Sequence, residues 1–301
     1  MKMLVRHIVL FWVILTSTGG LWAQEDYQWW NEKHNWDGIT PWHDYLITSP
    51  AFFGPNALSV PPIKNGLITA EAYGKLGMDV HSSVGDQTYN LYAETFLPLF
   101  SDRVGMMLSM VPLEYYQMDT ITRDLRKARG YSGEGFAVGD LNITTLIQLI
   151  EHHPKLPDVL FTMNLRTASG SKLTDARFTD GPGYSFDLSF GKDFKLKQDA
   201  SWHIRPHVMF GFYVWQNQGN KYMQNDAFLY GLGFDLEYAK FILNTALGGY
   251  SGFIGNGDRP MVYRCSIRTN WESLFNMELQ LQQGIRDFAY TSLRLNCITS
   301  F

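Results

Sequence analysis

Polar side chains recur at every second position along several segments of this chain, and the charged ones among them are the residues whose chemistry could matter. Side chains alternate between the two faces of a β-strand, so this spacing collects them on one face. Acids and bases are similar in number, which predicts a lattice of ion pairs or a path for a polar solute. The residues predicted to line that shared face are Glu71, Glu94, Arg166, Asp187, Arg205, Arg264 and Arg268.

The histidines do not predict a metal site. His203 and His207 share a face four positions apart, which is roughly 13 Å at ~3.3 Å per residue of strand. One ion cannot bridge that distance. His152 and His153 precede Pro154 in a predicted turn. We therefore predict no metal and no cofactor.

The elements that carry these charges are about twelve segments with strict alternation of apolar and polar residues. In the first, which begins at Gly66, Ile68 and Leu76 share one face while Glu71 and Lys75 share the other. One closed wall explains why nearly every segment alternates, whereas a soluble two-sheet sandwich, the alternative, needs free edges. The fold predicted for residues 66–301 is an all-β, antiparallel, up-and-down transmembrane β-barrel of about 12 strands.

Composition agrees with such a barrel. The chain is 45% hydrophobic and 15% aromatic, with 18% charged residues and a mean hydropathy of −0.17. This mean is too low for a helical membrane protein, but barrels hide polar residues inside and look soluble on average. The fold predicts a location in the outer membrane of a Gram-negative bacterium, with membrane lipid around a single chain.

The gaps between segments alternate between long and short, as expected for outer loops and periplasmic turns. The predicted outer gaps are 79–86, 117–138, 170–182, 217–225 and 253–258, and the inner ones are 101–102, 152–156, 194–199, Ala239 and 272–273. A last outer gap near Arg286 is short. The segment from Arg103 to Tyr116 is the least regular, and Pro112 predicts a bulge there.

The N-terminal region is different. Lys2 and Arg6 precede an apolar run that ends before Ala23, which predicts a secretory signal peptide at residues 1–23. Its removal takes away these two bases and no acid, so the formal charge changes from −4 to −6. An acidic chain argues against nucleic acid as a partner.

Residues 24–65 show no strand period. Trp29, Trp30, Trp36 and Trp42 are mixed with Pro, Gly and Asn. The segment is either periplasmic, with its tryptophans in the aromatic girdle, or inserted into the lumen as a plug. The sequence leaves both alternatives open.

Cysteines and the C-terminus add two expectations. Cys265 and Cys297 lie on the apolar face of predicted strands, where they act as small hydrophobic residues or, alternatively, form a disulfide. Phe301 ends the last alternating segment. This terminal aromatic resembles the signal that the barrel-assembly machinery recognises, so that machinery is a predicted partner.

A lipid-modifying hydrolase is the enzymatic alternative. It needs a nucleophile, a base and an orienting group. His81, Ser82 and Ser83 are adjacent in a predicted outer loop, and adjacent residues seldom face one another, so we predict no enzyme and assign no catalytic residue. A Ser or Asp within ~3 Å of His81 at membrane depth would favour the alternative.

Short motifs between residues 136 and 193 resemble a known family. Gly139-Asp140-Leu141, Leu156-Pro157 and the LRTASG stretch at 165–170 are similar to the meta-pathway phenol-degradation family of outer-membrane channels. The stretch FDLSFGK at 186–192 resembles Bacteroidetes variants. The resemblance implies a barrel assigned to uptake of hydrophobic compounds, with no catalytic residues. The strand pattern itself predicts that Asp140 and Arg166 face the lumen on adjacent strands.

These observations predict a passive channel or a binder of small compounds, hydrophobic ones included, with a small-molecule solute as partner. A closed structural or adhesive barrel without transport is the main alternative.

Overall fold

The computed structural model describes residues 26–99, 101–195, 202–217, 219, 221–271 and 274–301. The predicted signal peptide lies outside these ranges. The chain divides into two compact units, Met1–Ile39 and Thr40–Phe301. The described part of the first contains a short helix, α1 (Gln28–Lys33). None of the described helices has the length and apolarity needed to cross a bilayer.

The second unit is a closed antiparallel barrel of twelve long strands. Two further strands are short, Glu134–Ala137 and Phe194–Lys195, and each pairs with one long strand. The strands are β1 (Tyr73–Ser83), β2 (Asp86–Leu99), β3 (Ser101–Met118), β4 (Glu134–Ala137), β5 (Asn142–Ile150), β6 (Asp158–Arg166), β7 (Gly183–Gly191), β8 (Phe194–Lys195), β9 (Trp202–Gln216), β10 (Gln224–Tyr238), β11 (Phe241–Gly252), β12 (Met261–Thr269), β13 (Phe275–Arg286) and β14 (Thr291–Ser300).

Each long strand pairs with its neighbours in chain order, and the ring closes between β1 and β14, from Tyr73–Ser300 to Ser82–Thr291. This is the predicted up-and-down barrel. We call the end with the turn Val84–Gly85 the outer end and the end with the turn Ala239–Lys240 the inner end, following the loop lengths.

Alternation explains why these segments form one wall. In β1, Leu76 and Met78 are 61% and 67% exposed outside, whereas Asp79 is 3% exposed in the interior. Phe210 and Phe234 also face outward, at 50% and 36% exposure. The wall therefore presents an apolar surface to its surroundings and a polar one to its interior, as membrane barrels do.

The irregular segment around Pro112 is a bulge, as predicted. Leu91 of β2 pairs with Leu113 of β3, and Ala93 pairs with Met110, so two β3 residues lie opposite one β2 residue. Proline has no N–H group to donate to the ladder, and a bulge accommodates it.

The first strand begins later than predicted. β1 starts at Tyr73 rather than at Gly66, which has a φ of +85° and lies against the backbone of β6 and β7. Ile68, predicted to face lipid, packs in the interior with Phe96, and its amide donates to Gln148 Oε1 at 2.7 Å. The chain crosses the inner end here before it joins the wall, so the alternation of residues 66–72 does not correspond to a strand.

The predicted outer gap 79–86 is also wrong. β1 continues to Ser83 and β2 starts at Asp86, so only Val84 and Gly85 form the turn. Gly85 has a φ of +76°, which glycine adopts readily in a two-residue hairpin turn. Asp79 and His81, just before the turn, are polar because they face the barrel interior, and this polarity led to the prediction of a loop.

Residues 46–66 pack inside the wall, and we call them the interior segment. Phe53 and Leu58, each 1% exposed, join a cluster with Trp215, Leu229 and Tyr250 from β9, β10 and β11. Prolines keep this segment from forming regular structure. Side chains of the wall donate hydrogen bonds to its carbonyl groups instead.

Two segments at the outer end also turn toward the interior. The first follows β3 and contains α2 (Thr120–Leu125), capped where the Asp119 side chain accepts from the Thr122 amide at 2.7 Å. The second connects β6 and β7, and its residues 175–179 are all buried. We call residues 167–182 the β6–β7 loop.

Candidate functional site

A cavity of about 420 Å³ lies between the interior segment and the wall. Its walls come mainly from β1, β2, β3, β5, β6 and β12–β14, whereas the interior segment packs against β9–β11. The interior segment therefore fills one side of the lumen and leaves the cavity on the other.

Three of the predicted interior residues line this cavity: Glu94, Arg166 and Arg264. Asp187 and Arg205 are buried beside the interior segment. Lys64 Nζ lies 3.1 Å from Asp187 Oδ2, and the Arg205 side chain donates to the Asn65 carbonyl at 2.9 Å. Arg205 also binds Asp158 at 2.7 Å.

The other two predicted residues lie apart from the cavity. Glu71 precedes β1 and is exposed, because residues 66–72 cross the inner end instead of forming wall. Arg268 shares the inward face of β12 with Arg264 but is exposed near the inner end, opposite Glu278 of β13. The structure thus brings together only part of the predicted set.

One wall of the cavity carries the cations. Lys75 Nζ lies 3.4 Å from Glu94 and 3.6 Å from Glu278, and the Arg294 guanidinium forms a two-bond ion pair with Asp79. Opposite charges at these separations compensate each other in the interior. Asp79 was missed because it lay in the predicted outer gap 79–86.

Arg264 is held differently. Its Nε donates to Gln282 Oε1 at 2.6 Å, and its Nη atoms donate to the carbonyls of Val60 and Pro61. Arg166 likewise donates to the Ala57 carbonyl. These arginines supply the partners that the backbone of the interior segment cannot obtain from secondary structure.

The facing wall contains an apolar patch. Met107, Met110 and Val111 of β3, Leu146 of β5 and Phe178 of the β6–β7 loop line the cavity there. Sequence periodicity could not locate Phe178, since loop residues have no strand period.

Residues of the short motifs between 136 and 193 meet beside this wall. Asp140 Oδ1 accepts from the Gly170 amide at 2.6 Å, and Asp140 Oδ2 lies 3.9 Å from Arg166 Nε, as the lumen-facing expectation implies. Burial raises the pKa of Asp140, and Arg166 offsets the rise only in part. Gly139 donates to the Val111 carbonyl at 2.8 Å, which closes the wall between β4 and β5.

The outer end is closed around Arg177 of the β6–β7 loop, which is fully buried. Its guanidinium donates to Glu114 at 2.8 Å, to Asp86 at 2.7 Å and to Thr88 at 2.7 Å. Burial alone would lower the pKa of Arg177, but the two carboxylates outweigh it and raise the pKa. Arg177 lies 4.7 Å from the Tyr116 ring centroid, a cation–π contact.

Further contacts extend this network, which we call the outer network. Arg126 donates to Asp86 at 2.6 Å and to Tyr290 at 2.9 Å. Burial is the main cause that raises the pKa of Tyr290 to about 12. Asn56 of the interior segment donates to Glu114 at 2.7 Å. Two outer loops, the wall and the interior segment are thus joined through shared carboxylates.

His81 lies in β1 and faces the interior, and its prediction as an outer-loop residue is wrong. Its Nδ1 is 2.7 Å from Ser292 Oγ and its Nε2 is 2.8 Å from Asn90 Oδ1. Asn90 in turn donates to Asp79 at 2.5 Å. This is the contact named above as favouring a hydrolase, although the pair faces the lumen rather than lipid.

A closed twelve-stranded wall with an apolar exterior and a polar, partly filled interior defines an outer-membrane β-barrel. The fold is shared with an outer membrane channel from Pseudomonas putida F1, at a TM-score of 0.54 and 13% identity over 81% of this chain and 100% of that one. Weaker similarity links it to the transport unit of the autotransporter AIDA-I from Escherichia coli (TM-score 0.47, 6% identity, 85% and 100% covered). The KdgM porin is similar at a TM-score of 0.44 and 9% identity, with 75% and 99% covered.

No protein-family model matches the chain, and no curated protein does. At 13% identity, the similarity to the Pseudomonas putida F1 channel supports the fold alone and leaves function to the site.

Proposed function

We propose that this chain is a passive outer-membrane channel that takes up or binds small solutes. The observation that supports it is the 420 Å³ cavity enclosed by the wall and the interior segment. Ligand pockets commonly have volumes of ~300–1,000 Å³ and combine apolar walls with a few polar groups. A purely structural barrel has no need for such a cavity.

In this proposal the structure is a closed state. The interior segment occupies the β9–β11 side of the lumen, and the outer network joins loops to wall at the outer end. Transport requires at least one of these contacts to open. The similarity of residues 136–193 to the phenol-degradation family supports the same class of function, and membership of that family, in its Bacteroidetes variant, is part of the proposal.

Conductance across a planar bilayer tests the channel directly. The purified chain should conduct ions, and Arg205→Ala and Arg264→Ala should change the conductance because both side chains hold the interior segment. Arg103→Ala, at an exposed position of β3, is the matched control and should conduct like the wild type. A silent barrel whose arginine variants lose only thermal stability would instead identify a structural or adhesive barrel.

The contact between His81 and Ser292 favours a second candidate, ester hydrolysis. Asn90 accepts from His81 Nε2, which leaves Nδ1 free to accept the hydroxyl proton of Ser292. Against it, the backbone around Ser292 is paired with β1 and β13, so its N–H groups are not free to form an oxyanion hole. Covalent labelling of Ser292 by a fluorophosphonate probe, absent in His81→Ala, would establish the hydrolase, and no labelling would exclude it.

Assembly through the C-terminus is a further part of the proposal. Phe301 is 51% exposed, and its amide donates to the Ala72 carbonyl at 3.0 Å. Recognition of this residue by the barrel-assembly machinery predicts that Phe301→Ala lowers the yield of folded barrel in the outer membrane. An unchanged yield would contradict that role.

A further inference from the structure

Arg264 differs from the other cations of the cavity because no carboxylate of the described residues forms an ion pair with it. Lys75, Arg166 and Arg294 each have an acidic partner. Arg264 is held by one amide oxygen and two backbone carbonyls, all uncharged. A half-buried guanidinium without a counter-charge is electrostatically costly, and a bound anion would compensate it.

The Arg264 guanidinium also has N–H donors that bind no described residue. A guanidinium carries five N–H donors, and three are used by Gln282, Pro61 and Val60. The remaining two belong to the Nη atoms, on a side chain that lines the cavity. Arginine in such a position suits a carboxylate, which can accept two parallel bonds.

A second guanidinium lies on the same wall. Arg264 pairs in register with Gln282 of β13, and Arg294 of β14 pairs with Gln280 of β13. Both arginines and both glutamines line the cavity. Arg294 is already paired with Asp79, so Arg264 supplies the uncompensated charge of this wall, with the two glutamine amides beside it.

The opposite wall carries an apolar patch among its polar residues. Met107, Met110 and Val111 of β3, with Leu146 and Phe178, give it an apolar surface. Methionine side chains adapt to ligands of different shape and contact aromatic rings favourably. The cavity thus combines one uncompensated guanidinium with an apolar patch across from it.

We infer that the cavity binds a small organic anion, with its carboxylate at Arg264 and its apolar body against β3 and β5. This assignment rests on the proposed channel function and specifies the class of solute. A cation of the same size is repelled by Arg264, and a neutral analogue leaves its guanidinium uncompensated. The site therefore selects a solute that has a negative charge at one end and an apolar body at the other.

Equilibrium binding to the purified full chain in detergent, measured by calorimetry, tests the assignment with simple probes. Benzoate should bind at least about tenfold more tightly than its neutral isostere benzamide, because charge-assisted bonds are roughly twice as strong as neutral ones. Benzoate should also bind more tightly than acetate, which lacks the apolar body. Benzamidine, the cationic counterpart, should not bind.

Variants locate the site. Arg264→Gln should remove the preference for benzoate over benzamide, whereas Arg264→Lys should retain part of it by keeping the charge. Arg103→Gln removes an exposed arginine near the start of β3, which does not line the cavity and precedes Met107, the first β3 residue that does, and it should bind benzoate like the wild type. The comparison of probes on the unaltered chain needs no variant, so misfolding of Arg264→Gln would not obscure the answer.

Equal affinities for benzoate and benzamide would overturn the anion site, and equal affinities for benzoate and acetate would overturn the apolar side. Bilayer conductance separates this inference from the channel itself. A conducting protein without benzoate preference refutes the site alone, whereas a silent protein that binds benzoate selectively refutes the channel and upholds the site.

Discussion

Replacing Arg177 by methionine removes the charge that joins the β6–β7 loop to the wall. Asp86 keeps its ion pair with Arg126 at 2.6 Å, but Glu114 loses its only charged partner among the described residues. Breaking a buried pair by removing one partner costs about 3–5 kcal/mol. Because Asp86 remains paired, we take the lower value, about 3 kcal/mol.

The unpaired Glu114 carboxylate is buried only while the β6–β7 loop is docked, so this free-energy cost should favour opening of the outer end. At about 1.4 kcal/mol per factor of ten, 3 kcal/mol raises the ratio of open to closed loop on the order of 10²-fold. The assay is single-channel recording in a planar bilayer. Arg177→Met should show a much higher open probability than the wild type.

A second substitution provides the control. Glu114→Gln, added to Arg177→Met, removes the orphaned charge and keeps an oxygen that can accept from Asn56. The double variant should therefore recover part of the closed state and of the thermal stability. If Arg177→Met lowers the melting temperature while its open probability stays at the wild-type level, the outer network stabilises the fold without controlling the outer end, and the reasoning fails.

Two other predictions concern packing and thiols. Gly54→Ala should lower thermal stability by about 1–3 kcal/mol and raise conductance, because the added Cβ would lie 2.8 Å from Arg177 Cζ. Gly219→Ala is the control and should match the wild type, because no atom of the described residues lies within 4 Å of the added Cβ. Cys265 and Cys297 lie opposite two β13 residues that are four positions apart. This offset is roughly 13 Å along the strand, so the two cysteines are too far apart to form a disulfide. Alkylation of the oxidised, then denatured, chain should add two labels in mass spectrometry, and a missing pair of labels would show that the register is wrong.

Sequence periodicity predicted the barrel because a membrane wall imposes alternation on every strand. The same periodicity placed Glu94, Arg166 and Arg264 inside, since their strands keep a constant register. It even indicated the bulge at Pro112, where the missing N–H group interrupts the ladder.

The rest of the site depends on contacts that have no period. The two-residue turn at Val84–Gly85 carries no strong hairpin dipeptide, so His81 was assigned to a loop. Arg177 acts from a loop, and its partners Asp86 and Glu114 become a site only when that loop folds inward. Residues 66–72 alternate by chance while crossing the inner end.

The interior segment has a consequence for how the molecule is built. It precedes β1 in the chain, and its side chains and carbonyls contact strands from β6 to β12. The seam between β1 and β14 joins the first strand to the last. Because this proline-rich stretch fills one side of the lumen, we expect the sheet to close around it, with the seam between β1 and β14 forming last.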